Sequence, residues 1–271
     1  MHRDLVERIV RMSVPQKPEP LARATPHGRM SVQRHARRRS STTIIGLRYA
    51  DGILCVADRK MSGYWFRIMS MDFQKIYTVS PISVLMGSGS VVSLQQAERY
   101  VRRTAKQFLM QAKVPMSTEG QAALLAEWCE LQFMWLGEWF SFFGILAGFD
   151  TDGTSHLYAI EQDGCKIEEA QYYATGSGGF EATAVLDQRW EKDMNLAHAL
   201  HIGVDAQYQA GCRDSGSSDV RLAIPSAAAI TKDGVQPISE AYVLQALASV
   251  LALKPSKPLK TALALAVAGL S

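Results

Sequence analysis

Apolar and polar positions after residue 41 fall into short blocks whose period keeps changing. Residues 42–49, TTIIGLRY, and 52–58, GILCVAD, are apolar runs on either side of Ala50, Asp51 and Gly52, which together make a hairpin signal. QKIYTV (74–79) and ISVLMGSG (82–89) read as two more short strands. Apolar side chains then recur at helical spacing over 91–113, and again over 118–140 after the break at Pro115 and Ser117. Strands return at 142–150 and 155–162 around a turn at Thr151, Asp152 and Gly153, and Asp163 with Gly164 turns the chain into 166–179. Helices are predicted at 180–190 and 195–211. Last strands are predicted within 219–231 and after Lys232, Asp233 and Gly234, followed by a final helix over 240–253.

The order is strands, two helices, strands, two helices, strands. Strands and helices do not alternate singly, so a doubly wound parallel sheet does not fit. Two hairpin-rich antiparallel sheets packed face to face between helix pairs do fit. The expectation is an α+β fold, a four-layer αββα sandwich.

The first 41 residues break the pattern. They hold ten Lys and Arg against three Asp and Glu, include Pro15, Pro18, Pro20 and Pro26, and have few aliphatics after Met12. Such a segment does not pack a core. It lacks the continuous apolar stretch of a secretory signal, and its Arg-rich character leaves a mitochondrial-type presequence open, with Asp4 and Glu7 weighing against it. Clustered arginine attracts phosphate, but no aromatic or motif accompanies it, so no nucleic-acid partner is expected. The remaining chain carries nineteen basic and twenty-three acidic residues, so the sign of the net charge reverses.

With 271 residues and 47% hydrophobic content, the chain suits one domain with a large core. No apolar run reaches the length that spans a bilayer, and TALALAVAGL near the C-terminus is about half that length. No membrane partner is expected, and a cytoplasmic location follows. Cys55, Cys129, Cys165 and Cys212 form no CxxC pair, which removes zinc-ribbon and redox-motif readings. They are read as buried thiols in a reducing compartment.

Several polar residues sit at strand ends or in glycine-rich turns. Asp58 ends an apolar strand, and Lys75 opens another. Taken singly, each is more simply a surface charge. The GSG segments 87–89 and 176–178 each follow a strand and precede a helix, which suits an oxyanion or a phosphate but equally suits a tight turn. No GxxxxGK[ST] supports a nucleotide site, and a dinucleotide-binding reading rests on the GSG turns alone. RDSGSSDV (213–220) places Asp214 among serines in one turn, as a capped turn also would.

Taken together, these features are more specific. TTIIGLRYADGILCVADRK, QKIY, MGSGS, AGFDTDG, YYATGSGG and RDSGSSDV occur in that order between Thr42 and about Ile230. In this the chain resembles the β-type subunits of the proteasome, N-terminal threonine hydrolases of the N-terminal nucleophile hydrolase fold. The peptidase ring of a bacterial two-component ATP-dependent protease shares the leading Thr pair, but the DSxS turn points to the proteasome side.

The resemblance implies roles. Thr42 is the nucleophile through its side-chain oxygen, and its own freed α-amine is the base. Asp58 pairs with Lys75, which lowers the cost of the alkoxide. Ser177, Asp214 and Ser217 orient the amine and carry protons, and the N–H of Gly87 is the oxyanion donor. Met61, Ser62, Phe73, Tyr77, Leu85 and Gly89 contact substrate. These residues present no charge to pair with a basic side chain, so apolar substrate residues are expected to be preferred. No cofactor or metal is implied.

The roles are chemically coherent. A threonine hydroxyl needs an adjacent base. An α-amine has a pKa of about 8 and is partly neutral near pH 7. An amide nitrogen cannot serve, because its lone pair is delocalised. The Ser41–Thr42 bond must therefore be cut first, which makes residues 1–41 a removable leader, 42–253 the peptidase domain and 254–271 a C-terminal extension. The family usually has glycine before the threonine, where it eases the turn that lets the hydroxyl reach the preceding carbonyl. Ser41 stands there instead.

The implied activity is a threonine endopeptidase, made as a precursor, that degrades unfolded proteins inside stacked rings of β-type subunits, with a homo-oligomer expected. Whether an α-type ring and an ATPase unfoldase are also partners stays open. Two alternatives remain: an uncleaved, non-catalytic ring subunit, which Ser41 motivates, and an N-terminal nucleophile hydrolase acting on a small amide.

Overall fold

Apolar runs with no alternation build the centre of the molecule, because both faces of its sheets are covered. The computed structural model describes residues 39–40, 42–62, 67–137 and 140–253. The expected leader (1–38 and Ser41) and the C-terminal extension (254–271) lie outside the described residues.

One sheet has six strands. β1 (Arg39–Ser40), β7 (Ser83–Ser90), β8 (Phe142–Phe149), β9 (Ser155–Ile160) and β10 (Lys166–Glu168) follow one another, and β6 (Ile76–Ser80) also pairs with β7. The other has five, in the order β11 (Tyr172–Gly176), β2 (Thr43–Tyr49), β3 (Gly52–Ala57), β12 (Ser226–Thr231) and β13 (Gly234–Pro237). All pairings are antiparallel. A small hairpin of β4 (Met61–Ser62) and β5 (Ile68–Ser70) stands apart.

Three apolar layers separate the four structural ones. Ile44, Ile53, Cys55, Met86, Ile145 and Leu157 fill the space between the sheets. Their neighbours one residue along, such as Ile45, Leu54 and Leu85, point outward to the helices, as the two-residue period of a strand requires. α1 (Val91–Ala112) and α2 (Thr118–Leu136) cover the six-stranded sheet through Leu94, Trp128 and Phe142. α3 (Gly179–Arg189), α4 (Leu196–Arg213) and α5 (Glu240–Leu253) cover the other through Leu186, Val204 and Leu247. This is the expected αββα sandwich.

Helix limits follow capping chemistry. Ser90, Ser117 and Asn195 accept N–H bonds from the first turns of α1, α2 and α4. α2 stops at Leu136 rather than near 140, because Gly137 takes a positive φ of 53° and its N–H bonds back to Phe133.

Four sequence expectations need correction. Residues 87–89 are not a turn but the last part of β7, with only Gly89 at positive φ. The stretch 166–179 is two strands in different sheets. Glu169 N–H bonds to Leu157 on one side, and Gln171 O accepts from Arg48 on the other, so the chain crosses between layers here. Residues 219–225 are not strand but a turn at 220–222 within irregular backbone. Cys165 and Cys212 are exposed, and only Cys55 and Cys129 are buried. Two elements have no signal in the sequence pattern: β1, formed by residues assigned to the leader, and the β4–β5 hairpin.

Candidate active site

Thr42 lies just ahead of β2, and both it and Thr43 are fully buried. The neighbouring strand β11 ends at Gly176, opposite Thr43, with φ 97°. A Cβ at Gly176 would lie 2.1 Å from the carbonyl oxygen of Thr42. Only glycine permits both the dihedral and the approach. The bend after it delivers Ser177. Thr42 N, an amide nitrogen in the intact chain, donates to Ser177 Oγ at 3.1 Å.

Ser177 Oγ is 2.6 Å from Asp214 Oδ2 and 3.4 Å from Thr42 O, so its single proton belongs with the carboxylate. Asp214 follows the last residue of α4, and its Oδ1 accepts the N–H of Gly216 at 3.0 Å, which sets the serine turn. Ser217 Oγ donates to Asp214 Oδ2 at 2.7 Å. Ser217 Oγ is also 2.5 Å from Thr43 Oγ1, and with its own proton committed it must accept there. A continuous chain of hydrogen bonds therefore joins Thr42 N, Ser177, Asp214, Ser217 and Thr43.

Asp58 follows β3, and Lys75 precedes β6. Their side chains are 1% and 0% exposed, and Lys75 Nζ donates to Asp58 Oδ1 at 2.7 Å. The same oxygen accepts Thr43 N–H at 2.9 Å, and Oδ2 accepts the N–H groups of Lys60 and Ser218 at 3.1 and 3.2 Å. A carboxylate so buried needs these donors and a cation. Burial holds the Lys75 pKa below its ordinary 10.5, with the Asp58 charge opposing that shift. It is Lys75 that reaches Asp58, as the sequence led one to expect. Gln74, one position away, instead donates to Ile76 O.

The direction of the Gly87 N–H follows from strand alternation. Ser90 N–H bonds to Ser141 O, and Ile82 O accepts from Phe149 N, so even-numbered residues of this segment turn their backbone groups toward β8. No irregularity interrupts the β7–β8 register between them. Gly87 therefore faces the opposite edge. There β6 pairs only as far as Met86, and β1 ends opposite Gly89. Among the described residues no strand is paired in register with Gly87 on that edge.

The expected substrate residues fall around that edge. Tyr77 and Leu85 are direct partners across β6 and β7, and Phe73 packs into the same cluster. Phe73 N–H bonds to Arg59 O, close to Met61 and Ser62 on β4. Gly89 pairs with Ser40 of β1. Ser41 lies outside the described residues.

Four residues of the site carried no role in the sequence reading. Thr43 and Ser218 sit beside residues that did, and adjacency was their only signal. Lys60 contributes its backbone N–H, and its Nζ donates to Ser215 O at 2.5 Å. Gln207 is a buried polar residue within a helix, where no local pattern marks it. Among the described residues no group of three or more His, Cys, Asp or Glu is placed to hold a metal ion, and no helix is long and apolar enough to cross a membrane.

Residues 39–224 match the family model described as "Proteasome subunit". The chain is 30% identical over 199 residues to "Proteasome subunit beta" of Haloquadratum walsbyi, covering 73% of this chain and 76% of that one. It is 26% identical over 200 residues to "Proteasome subunit beta 2" of Thermofilum pendens, covering 73% and 94%. It is 29% identical over 207 residues to "Proteasome subunit beta" of Acidimicrobium ferrooxidans, covering 74% of each.

Proposed function

The chain belongs to the proteasome subunit family as a β-type member, and from that premise we propose that it is a threonine endopeptidase activated by loss of residues 1–41. The observation that carries the reading is the surroundings of Thr42. Its backbone nitrogen is 3.1 Å from Ser177 Oγ, in a bonded chain that runs through Asp214. The buried Asp58–Lys75 pair is tied to the next residue, Thr43, through its N–H.

In this reading, cleavage before Thr42 turns its amide nitrogen into an amine. The amine takes the proton of Thr42 Oγ1 as that oxygen attacks the substrate carbonyl. The Lys75 ammonium lowers the energy of the developing alkoxide, and Asp58 keeps the cation in place. The Gly87 N–H, on the edge of β7 away from β8, receives the oxyanion. The amine then gives its proton to the departing peptide nitrogen, which leaves an ester on Thr42, and water hydrolyses that ester by the same groups in reverse. The apolar surroundings of Phe73, Tyr77 and Leu85 suit an apolar substrate side chain before the scissile bond.

We place the subunit in rings with other β-type chains. Met134, Phe180, Leu222 and Leu253 are more than two-thirds exposed, as residues covered on assembly would be in the separate chain.

Intact mass of the purified assembled protein, with Thr42→Ala beside it, tests the proposal. The expected result is a native chain that starts at Thr42 and hydrolyses peptides, and a variant that keeps its leader and hydrolyses none. Peptide hydrolysis by particles that retain residues 1–41, or by Thr42→Ala, sinks it. Ser41 in place of the usual glycine favours one second reading, an uncut structural ring subunit. A chain that keeps Met1 in an assembled, inactive particle is its signature.

A further inference from the structure

Gln207 lies in α4, and its side chain is completely buried. Its Nε2 donates to the carbonyl of Thr43 at 3.0 Å and to that of Val56 at 3.4 Å. Both neighbours are acceptors, which settles which end of the amide faces them. Its Oε1 has no hydrogen-bond partner among the described residues. A buried acceptor left unbonded is destabilising, and methionine would fill nearly the same volume without it. Packing alone therefore does not account for an amide here.

Its two N–H bonds fall where the halves of the site join. The Thr43 carbonyl also accepts Asp58 N–H at 3.1 Å, and Thr43 N–H donates to Asp58 Oδ1. Gln207 supplies the second donor to the Thr43 carbonyl and links it to β3 at Val56, two residues before Asp58. The residue that follows Thr42 is thus bonded through both its backbone groups, its N–H to the Asp58 carboxylate and its C=O to the Asp58 N–H and to the helix outside the sheet.

We propose that Gln207 is a positioning residue, acting through the Thr43 carbonyl to hold the start of β2 in register with Asp58 and Lys75. The inference rests on the reading that Thr42 is the nucleophile. A displacement of about 1 Å at a reacting group lowers rate by about a hundredfold, and it does so without any change in substrate contacts.

The test is Gln207→Met in the full chain, purified as the assembled particle, with Gln207→Leu as a second apolar variant should the first not assemble. Peptide kcat and KM, thermal midpoint, and amide hydrogen exchange at Thr43 and Asp58 are measured against the native protein. The expected result is kcat down by roughly tenfold or more with KM within about twofold, faster exchange at both amides, and a midpoint equal or higher. Native kcat in the variant, native exchange at both amides, or a fall in midpoint with kcat and KM changed together would each overturn it. A native protein that hydrolyses no peptide defeats the threonine-peptidase reading instead, and the exchange measurement still decides whether Gln207 holds Thr43 to Asp58.

Discussion

Replacing Asp58 by asparagine isolates the buried ion pair at the centre of the site. The carboxylate accepts from Lys75 and Thr43 on one oxygen and from Lys60 and Ser218 on the other. An asparagine NH2 must point at one of these donor pairs, and the lysine loses its counter-charge. Breaking a buried pair at one partner costs about 3–5 kcal/mol. Lysine chemistry sets a ceiling on the charge part. Lys75 can escape by releasing its proton, at about 1.4 kcal/mol for each pH unit below its ordinary 10.5, or ~5 kcal/mol at pH 7 and ~2 kcal/mol at pH 9. The sign follows. Where Lys75 takes that escape the folded variant holds it neutral, while the unfolded chain still binds the proton below pH 10.5, so stability of the variant rises with pH. Urea unfolding of native protein and Asp58→Asn at pH 7, 8 and 9, at one protein concentration, reads this difference. The expected loss is ~3–5 kcal/mol at pH 7, shrinking by ~1 kcal/mol or more per pH unit. A loss below ~1 kcal/mol would refute the claim that the pair is structurally coupled. A loss of full size that does not change with pH would show that Lys75 carries the same charge in both proteins, and the proton-release account would fall with it.

Gly176→Ala forces a Cβ against the Thr42 carbonyl at φ 97°, so leader removal should fail and peptide hydrolysis should fall by about a hundredfold or more; intact mass and initial rates check this, and a processed, active variant contradicts the close approach. At pH 8 a thiol reagent should titrate Cys165 and Cys212 in the separate native chain and all four thiols in urea, because Cys55 is fully buried with its pKa pushed up to about 12 and Cys129 is also buried with its pKa raised; rapid reaction of four native thiols contradicts this. Peptides ending in Leu or Tyr should be cleaved with kcat/KM at least about tenfold above those ending in Arg, and the reverse order would place an unrecognised acidic group in the pocket.

Apolar runs bounded by turn residues were enough to locate β2, β3, β7, β8 and β9, and the 3.6-residue period with its caps located α1 to α4 within a few residues. These signals are local: each depends on side chains no more than about four positions apart. The order of Thr42, Asp58, Lys75, Ser177, Asp214 and Ser217 along the chain was likewise legible. So was the chemical requirement for a free nitrogen at Thr42 if that residue is to act as proposed. What the sequence could not determine was which sheet receives each strand. β10 and β11 read as one strand yet belong to different layers, because residues 169–171 between them hold no glycine or proline to mark where the chain crosses. Nor could it determine the pairing of Arg39 and Ser40 with the β7 edge, or the place of Gln207. Those depend on bonds between residues as far apart as Thr43 and Ser217, 174 positions along the chain, and only packing two sheets and a helix together brings such groups within 3 Å.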